Sequence, residues 1–176
     1  MARNLELKAR LSSAAHTKKI LRQIGQFAEI LRQTDTYFNV RVGRLKLREV
    51  QGGRAELIYY RRNEKKGPRW SEYEIIDVRQ PKDLKRALAD ALGVKAIVRK
   101  VREVYYYRKI ARIHVDSVRG LGKFIELEVI SKGNGSRVKP IHDELLKLLG
   151  IGRDDRIACS YSDLAMAEKG HHSGRI

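Results

Sequence analysis

Charged and aliphatic side chains alternate along the stretch FIELEV, residues 124–129. The segments NLELK at 4–8 and RLKLR at 44–48 repeat the alternation with other charges. Successive side chains of a β-strand point to opposite faces of the sheet, so each segment has one aliphatic face and one polar, mostly charged face. The polar face of FIELEV carries two acids, that of NLELK carries one acid beside an amide and a lysine, and that of RLKLR carries three bases. These segments therefore predict strands that separate charge from aliphatic surface.

The composition indicates one basic domain. The chain has 176 residues, enough for a packed core, and Lys plus Arg number 38 against 21 Asp plus Glu, a net charge of +17. Such a surplus favours a polyanionic partner, although a generally basic soluble protein is the alternative. A single cysteine, Cys159, excludes an internal disulfide and a cysteine-based zinc site. Without an apolar span of about 20 residues or a signal region, we expect a cytoplasmic protein with no membrane partner.

Eight strand-like runs dominate the chain, and Gly or Pro residues separate many of them. The predicted strands are 3–11, 36–41, 43–51, 54–62, 70–79, 96–106, 108–118 and 123–131. Apolar residues at helical spacing predict helices over 20–31, 84–92 and 141–149, and a short helix near Ser162. This pattern predicts an α+β fold, an eight-stranded antiparallel closed β-barrel flanked by helices. The barrel domain would span 1–166, with a flexible tail at 167–176.

The alternation predicts a barrel with a charged interior, because the helices must cover the aliphatic faces from outside. Small barrels usually have the opposite arrangement, with an apolar interior. The predicted inward side chains are Asn4, Glu6, Lys8, Arg44, Lys46, Arg48, Tyr59, Arg61, Lys100, Arg102, Arg112, His114, Asp116, Glu126 and Glu128. A sheet with one face in water would also alternate, but rows of like charge on one strand are unfavourable without compensation.

Burying so many charges is costly unless they pair or bind a ligand. A triphosphate with a divalent metal ion would satisfy both signs of charge. Arg and Lys side chains bind phosphate oxygens, and carboxylates bind hard cations such as Mg²⁺ or Mn²⁺. The sequence therefore predicts a cavity for a metal-bound polyanion.

The ordered series of motifs resembles the CYTH family, also called triphosphate tunnel metalloenzymes. The family signature Glu-x-Glu-x-Lys is similar to residues 4–8, where this chain has Asn4, Glu6 and Lys8. Later landmarks of the family are similar to residues 43–48, 57–62, 100–102, 113–116, 120–128 and 160–164, and Arg69 and Tyr73 fit the strand that follows 57–62. The resemblance covers about residues 4–164 and implies an eight-stranded tunnel that binds triphosphate inside.

By position, the resemblance implies roles for individual residues. Metal ligands would be Glu6, Asp116, Glu126 and Glu128, and phosphate ligands would be Lys8, Lys46, Arg48, Arg61, Lys100 and Arg102. Lys8, Arg48 and Arg102 would also act in catalysis. The resemblance further implies Mg²⁺ or Mn²⁺ as cofactor and ATP, thiamine triphosphate or inorganic tripolyphosphate as substrate.

Several functions stay open at this point. We expect an enzyme, either an adenylate cyclase that forms cyclic AMP and pyrophosphate or a triphosphatase. Asn4 replaces a family Glu with a neutral amide, a weaker ligand for a hard cation, so a non-catalytic polyphosphate- or nucleotide-binding protein is the alternative. His114 is either a general base or a structural residue. Nucleic-acid binding is disfavoured, because only the net charge supports it. The sequence leaves a homodimer open.

Overall fold

The computed structural model describes residues 2–63, 67–131 and 136–172. Nine strands and four helices follow one another within these ranges. In chain order they are β1 (Ala2–Arg10), α1 (Ala14–Ile24), β2 (Gln26–Phe38), β3 (Arg44–Val50), β4 (Ala55–Arg62), β5 (Arg69–Asp77), α2 (Pro81–Leu92), β6 (Val94–Tyr107), β7 (Ala111–Val118), β8 (Gly122–Ile130), α3 (Val138–Leu148), β9 (Arg156–Ile157) and α4 (Tyr161–His172). None of the helices in the described ranges combines the length and the apolar content that crossing a membrane requires.

Eight of the strands form a closed antiparallel barrel. Their order is β1-β8-β7-β6-β2-β3-β4-β5, and β5 pairs back with β1. One edge of β1 is shared, since residues 2–6 pair with β5 while Lys8 and Ala9 pair with the short strand β9. The prediction of an eight-stranded antiparallel closed barrel flanked by helices is confirmed. The ninth strand, β9, had no signal in the sequence.

The main core lies outside the barrel, between its aliphatic faces and the helices α1 and α3. Leu7, Ile113 and Leu127 are at most 1% exposed and pack in one cluster with Leu21 of α1 and Leu145 of α3. Burying each aliphatic side chain of this size contributes roughly 1.5–3 kcal/mol. The strands can therefore present their charged faces inward while the fold still gains a hydrophobic core.

A second apolar cluster joins the barrel strands to the start of α4. Tyr161, at the start of α4, contacts the ring of Phe124 edge-on, with centroids 5.1 Å apart. Tyr37 and Val98 belong to the same cluster. The backbone of α4 continues to His172, inside the segment predicted as a flexible tail. This apolar cluster borders the interior of the barrel, because Tyr37 and Tyr161 also face it.

The helix predicted over 20–31 was wrong in its second half. Helix α1 ends at Ile24, and Phe27 and Leu31 lie on strand β2. Gly25 leaves the helix in an extended conformation, and a Cβ there would lie 3.2 Å from the carbonyl oxygen of Leu21. Residues 26–38 instead pair along β6, the neighbouring long strand. Tertiary pairing overrides the helical spacing because that spacing is only a weak local preference.

The prediction of which β4 side chains point into the barrel was also wrong, because it was shifted by one residue. Tyr60 and Arg62 face the interior, whereas Tyr59 and Arg61 face outward. The Arg61 side chain is 49% exposed and lies beside Glu72. The doublets Tyr-Tyr and Arg-Arg offer the same residue type to both faces, so the sequence could not determine which member points inward. Pairing with β3 determines it in the fold.

Candidate functional site

A cavity of about 290 Å³ lies inside the barrel and receives side chains from all eight barrel strands. Eight basic and six acidic side chains contribute to its lining. The predicted site residues that line it are Glu6, Lys8, Lys46, Arg48, Lys100, Arg102, Glu126 and Glu128. The alternation of charge along the strands therefore located most of the interior correctly.

Two predicted site residues lie elsewhere. Arg61 is on the outer face of β4. Arg62 lines the cavity in the place that the sequence had assigned to Arg61. Asp116 is fully buried, and Arg102 donates to both of its carboxylate oxygens at 2.7 and 2.6 Å. Tyr161 also donates to Asp116, at 2.8 Å. Asp116 thus anchors Arg102 from behind rather than lining the cavity.

One half of the cavity contains three cations around a single carboxylate, Asp35 on β2. Arg48 donates to Asp35 Oδ1 at 2.8 Å and to Oδ2 at 3.1 Å, while Lys46 and Lys100 contact Oδ2 at 3.1 and 2.6 Å. Burial alone would raise the pKa of Asp35, but these three positive charges outweigh it and hold the pKa well below its ordinary value. Asp35 is therefore ionised and holds the cation cluster, as we call Lys46, Arg48 and Lys100, in place.

The two lysines of the cation cluster are close to losing their protons at neutral pH. Burial and the neighbouring Arg48 lower the pKa of Lys46 to about 7, although Asp35 raises it. Burial likewise lowers the pKa of Lys100 to about 8, against the attraction of Asp35. An anion bound beside them would favour the protonated forms. The cluster is thus suited to bind an anion and protons together.

The other half of the cavity contains the carboxylates of β8. Lys8 lies 3.0 Å from Glu126 Oε1, and Arg102 reaches from Asp116 to Glu126 Oε2. Burial would raise the pKa of Glu126, but Lys8 and Arg102 hold it well below the ordinary value. Arg112 lies 2.9 Å from Glu128 Oε2. These carboxylates are therefore ionised inside the barrel and able to bind a cation.

Glu6, on the neighbouring strand β1, is engaged by two arginines. Arg62 and Arg69 both donate to Glu6 Oε1, the latter at 3.1 Å. Arg69 also donates to the backbone oxygens of Ile157 and Ala158 at 3.2 and 2.8 Å. Glu6 thus connects the barrel closure at β5 with the segment before α4.

His114, Glu126 and Glu128 form a group of side chains that could hold a metal ion. One potential ligand atom from each of them lies within 4.8 Å of those from the other two. His114 is buried, and its Nδ1 has no hydrogen-bond partner in the described ranges. Asn4 also lines the cavity, and its buried Oδ1 has no hydrogen-bond partner in the described ranges either. Ionised carboxylates beside unpaired buried nitrogen and oxygen acceptors fit a divalent metal ion.

The comparison with protein families decides the assignment. A family model described as the CYTH domain matches residues 2–161. The chain belongs to the CYTH family. A candidate adenylate cyclase of Methanocaldococcus jannaschii is 29% identical to this CYTH protein over 178 residues, which cover 91% of this chain and 97% of the relative.

Solved structures confirm the fold of this CYTH protein. A protein of Pyrococcus horikoshii has a TM-score of 0.81 at 20% identity, with 92% of this chain and 98% of the other covered. A Pyrococcus furiosus protein has a TM-score of 0.80 at 22% identity, with coverages of 92% and 99%. A candidate adenylate cyclase of Vibrio parahaemolyticus has a TM-score of 0.75 at 18% identity, with coverages of 91% and 95%.

Four residues of this site were given no role from the sequence: Asp35, Arg62, Arg69 and Tyr161. Asp35 lies one residue before the predicted strand 36–41, so its inward facing was not assigned. Arg62 was assigned to the solvent side because its neighbour Arg61 was assigned inward. Arg69, at the start of β5, matched a strand position of the family resemblance but was given no role. For Tyr161 a signal existed, because it lies in the segment 160–164 that resembles the family's C-terminal motif.

Proposed function

We propose that this CYTH protein is a metal-dependent enzyme that cleaves a triphosphate bound inside the barrel. One observation carries the proposal: the cation cluster and the ionised carboxylates Glu126 and Glu128 line the same cavity. Arg102 connects the two halves, because it lines the cavity and contacts Glu126. A metal–triphosphate complex needs both halves, cations for the phosphate oxygens and carboxylates for the metal.

The basic residues of the cavity would bind the phosphate groups. The guanidinium groups of Arg48 and Arg102 can each bind two phosphate oxygens, while Lys46 and Lys100 act as compact charges. Asp35 holds three of these four side chains before the substrate arrives, so little ordering is left to occur on binding. Arg62 joins this set in place of Arg61, because it is the arginine of that pair that lines the cavity.

The metal ion would be bound by Glu126 and Glu128, with Glu6 as a further candidate, and would neutralise charge on the phosphate oxygens. Lys8 and Arg102 keep Glu126 ionised and restrict its orientation. Lys8, Arg48 and Arg102 also line the cavity, where positioned cations would stabilise the charge that develops on the transferred and leaving oxygens. These roles account for their assignment as catalytic residues.

Two reactions are consistent with this site. Attack by water on the terminal phosphorus gives hydrolysis, and attack by a ribose 3′-hydroxyl on the α-phosphorus of ATP gives cyclic AMP and pyrophosphate. Both reactions need the same charge stabilisation, and they differ in which nucleophile is aligned with which phosphorus. We therefore include triphosphatase and adenylate cyclase activity in one proposal.

A non-catalytic binder of polyphosphate or nucleotide is the second candidate, and Asn4 is the observation that favours it. The side chain of Asn4 is 3% exposed and lines the cavity, where an amide brings no charge to a metal ion. Such a protein would be stabilised strongly by tripolyphosphate, since a ligand that binds only the folded state raises stability with its concentration. It would release no product.

A product assay separates these functions. The protein is incubated with ATP, thiamine triphosphate or tripolyphosphate in Mg²⁺ or Mn²⁺, and the products are separated by chromatography. We expect orthophosphate or pyrophosphate release, and a loss of about 100-fold or more in Glu126→Gln, since removing a metal ligand costs at least as much as removing its support. Glu72→Gln is the matched control, because Glu72 is exposed on the outer face of β5.

Each result of the assay decides between the candidates. Thermal stabilisation by tripolyphosphate without product from any of the three substrates would establish the non-catalytic binder. Normal turnover in Glu126→Gln would remove Glu126 from the metal site. Equal losses in Glu126→Gln and Glu72→Gln would show a general effect of the substitution rather than one on the cavity.

A further inference from the structure

His114, on β7, has an unusual place in the cavity. Its side chain lines the interior beside Glu126 and Glu128, and the residue is only 5% exposed. No hydrogen-bond partner for Nδ1 occurs in the described part of the chain. A buried acceptor or donor without a partner costs free energy, so native proteins rarely retain one unless a ligand or a function compensates.

The distances around this nitrogen match ligands that share one ion. Nδ1 lies 3.8 Å from Glu126 Oε2 and 3.7 Å from Glu128 Oε1. Both distances are too long for a hydrogen bond. Two ligands at ordinary bond lengths from one transition-metal ion are separated by roughly 3.0–3.8 Å, for angles between octahedral and trigonal. Nδ1 thus lies at the upper end of this range from one oxygen of each carboxylate, and all three ligand atoms lie within 4.8 Å of one another.

Basic side chains engage the other acidic residues near the cavity, as Lys8 and Arg102 engage Glu126. Asp116 uses both oxygens to bind Arg102 and does not line the cavity. Glu6 Oε1 accepts from both Arg62 and Arg69. His114 Nδ1 differs from these oxygens because it has no hydrogen-bond partner in the described part of the chain, so it is the best placed third ligand beside Glu126 and Glu128.

We propose that His114 Nδ1 coordinates the metal ion together with Glu126 and Glu128, which makes the site select Mn²⁺ and similar transition-metal ions over Mg²⁺. The inference rests on the proposed function for the presence of a metal ion at the two carboxylates. It assigns to this chain a nitrogen ligand and, with it, a metal preference.

The preference follows from ligand chemistry. Mg²⁺ is a hard cation that is bound through oxygen and demands near-ideal octahedral geometry. Imidazole nitrogen suits transition-metal ions, and affinities for them rise across the series from Mn²⁺ to Cu²⁺. With a nitrogen as one of three protein ligands, the site loses affinity for Mg²⁺ relative to a site of three carboxylates and keeps it for Mn²⁺ and Co²⁺.

Electron spin echo spectroscopy of the Mn²⁺-loaded protein tests the coordination directly, because a bound imidazole nitrogen modulates the echo. The full chain is loaded in the His171→Gln/His172→Gln background, which removes the two adjacent histidines of the tail. We expect a nitrogen modulation that changes frequency when the protein is labelled with ¹⁵N-histidine. Its absence would overturn the proposal even if no variant of His114 folds.

Titration calorimetry with Mn²⁺ and Mg²⁺ tests the preference. In His114→Gln we expect Mn²⁺ affinity to fall about tenfold or more while Mg²⁺ affinity changes less than about threefold, since an amide oxygen replaces a nitrogen ligand. The matched control is His16→Gln, because His16 is exposed on α1 and distant from the cavity. Retained nitrogen modulation in His114→Gln, or an unchanged ratio of the two affinities, would contradict the assignment.

These readouts separate the inference from the proposed function. Nitrogen coordination without product release from any triphosphate would preserve the metal site and remove the catalytic proposal. Metal-dependent product release without nitrogen modulation would support the proposed enzyme and remove His114 as a metal ligand.

Discussion

At the scale of single residues, Asp35 and the two lysines beside it couple anion binding to protonation. The lysines have pKa values lowered to about 7 for Lys46 and about 8 for Lys100, and Asp35 attracts their protons. Between these values and the ordinary 10.5, the unfolded chain binds more protons than the folded one, so these two lysines make the free energy of unfolding rise with pH. A bound triphosphate would reverse that balance by attracting protons to both lysines.

We therefore predict that tripolyphosphate binding takes up protons at pH 8 and weakens as pH rises from 7 to 9. Calorimetric titrations in two buffers of different ionisation enthalpy measure the proton uptake. Lys46→Arg is the matched variant, because a guanidinium stays charged throughout this range and should take up fewer protons on binding. Equal proton uptake in both proteins, or none in either, would show that Lys46 does not titrate with the ligand.

The sequence identified most cations of the site but not the residue that arranges them. Lys46, Arg48 and Lys100 were predicted to face inward because they stand on strands with clear charge alternation. Asp35 follows a stretch whose apolar spacing resembles a helix, so its facing could be known only after β2 had paired with β6. The facing of Asp35 depends on the long-range pairing of β2 with β6, which the local sequence pattern does not contain.

At the scale of elements, strand β4 gives a direct comparison between its two faces. Adjacent arginines occupy them: Arg62 has a side chain 5% exposed and pairs with Glu6, whereas the Arg61 side chain is 49% exposed. The pattern of strands, turns and outward aliphatic faces was sufficient to predict a barrel. The facing of β4 was not predictable, because both members of each doublet satisfy the same pattern.

The two arginines should respond differently to the same substitution. We predict that Arg62→Gln lowers the free energy of unfolding by about 2–4 kcal/mol, because a buried ion pair loses its charge. Arg61→Gln should stay within about 0.5 kcal/mol, as is usual for exposed positions. Urea unfolding of both variants measures the difference. A larger loss in Arg61→Gln would mean that β4 has the opposite facing in solution, and equal losses would show that the Arg62–Glu6 pair does not contribute to stability as predicted.

At the scale of the whole molecule, the net charge of +17 is not explained by the cavity. Eight basic and six acidic residues line it, so most of the positive surplus lies elsewhere on the chain. A surplus of one sign raises the local concentration of an oppositely charged substrate and also destabilises the compact state through self-repulsion. Charge inside the barrel thus serves binding, while charge outside it acts on approach and stability.

Ionic strength should separate these two contributions. Raising KCl from 20 to 200 mM shortens the screening length from about 20 to about 7 Å, which weakens attraction over the surface far more than contacts inside the barrel. We predict that the association rate constant for tripolyphosphate, measured by stopped flow, falls about tenfold, a typical magnitude for electrostatic steering. The dissociation rate constant should change much less, because the cation cluster is buried or nearly so. If salt changes only the dissociation rate constant, or leaves the association rate constant unchanged, the outer charge does not guide the substrate.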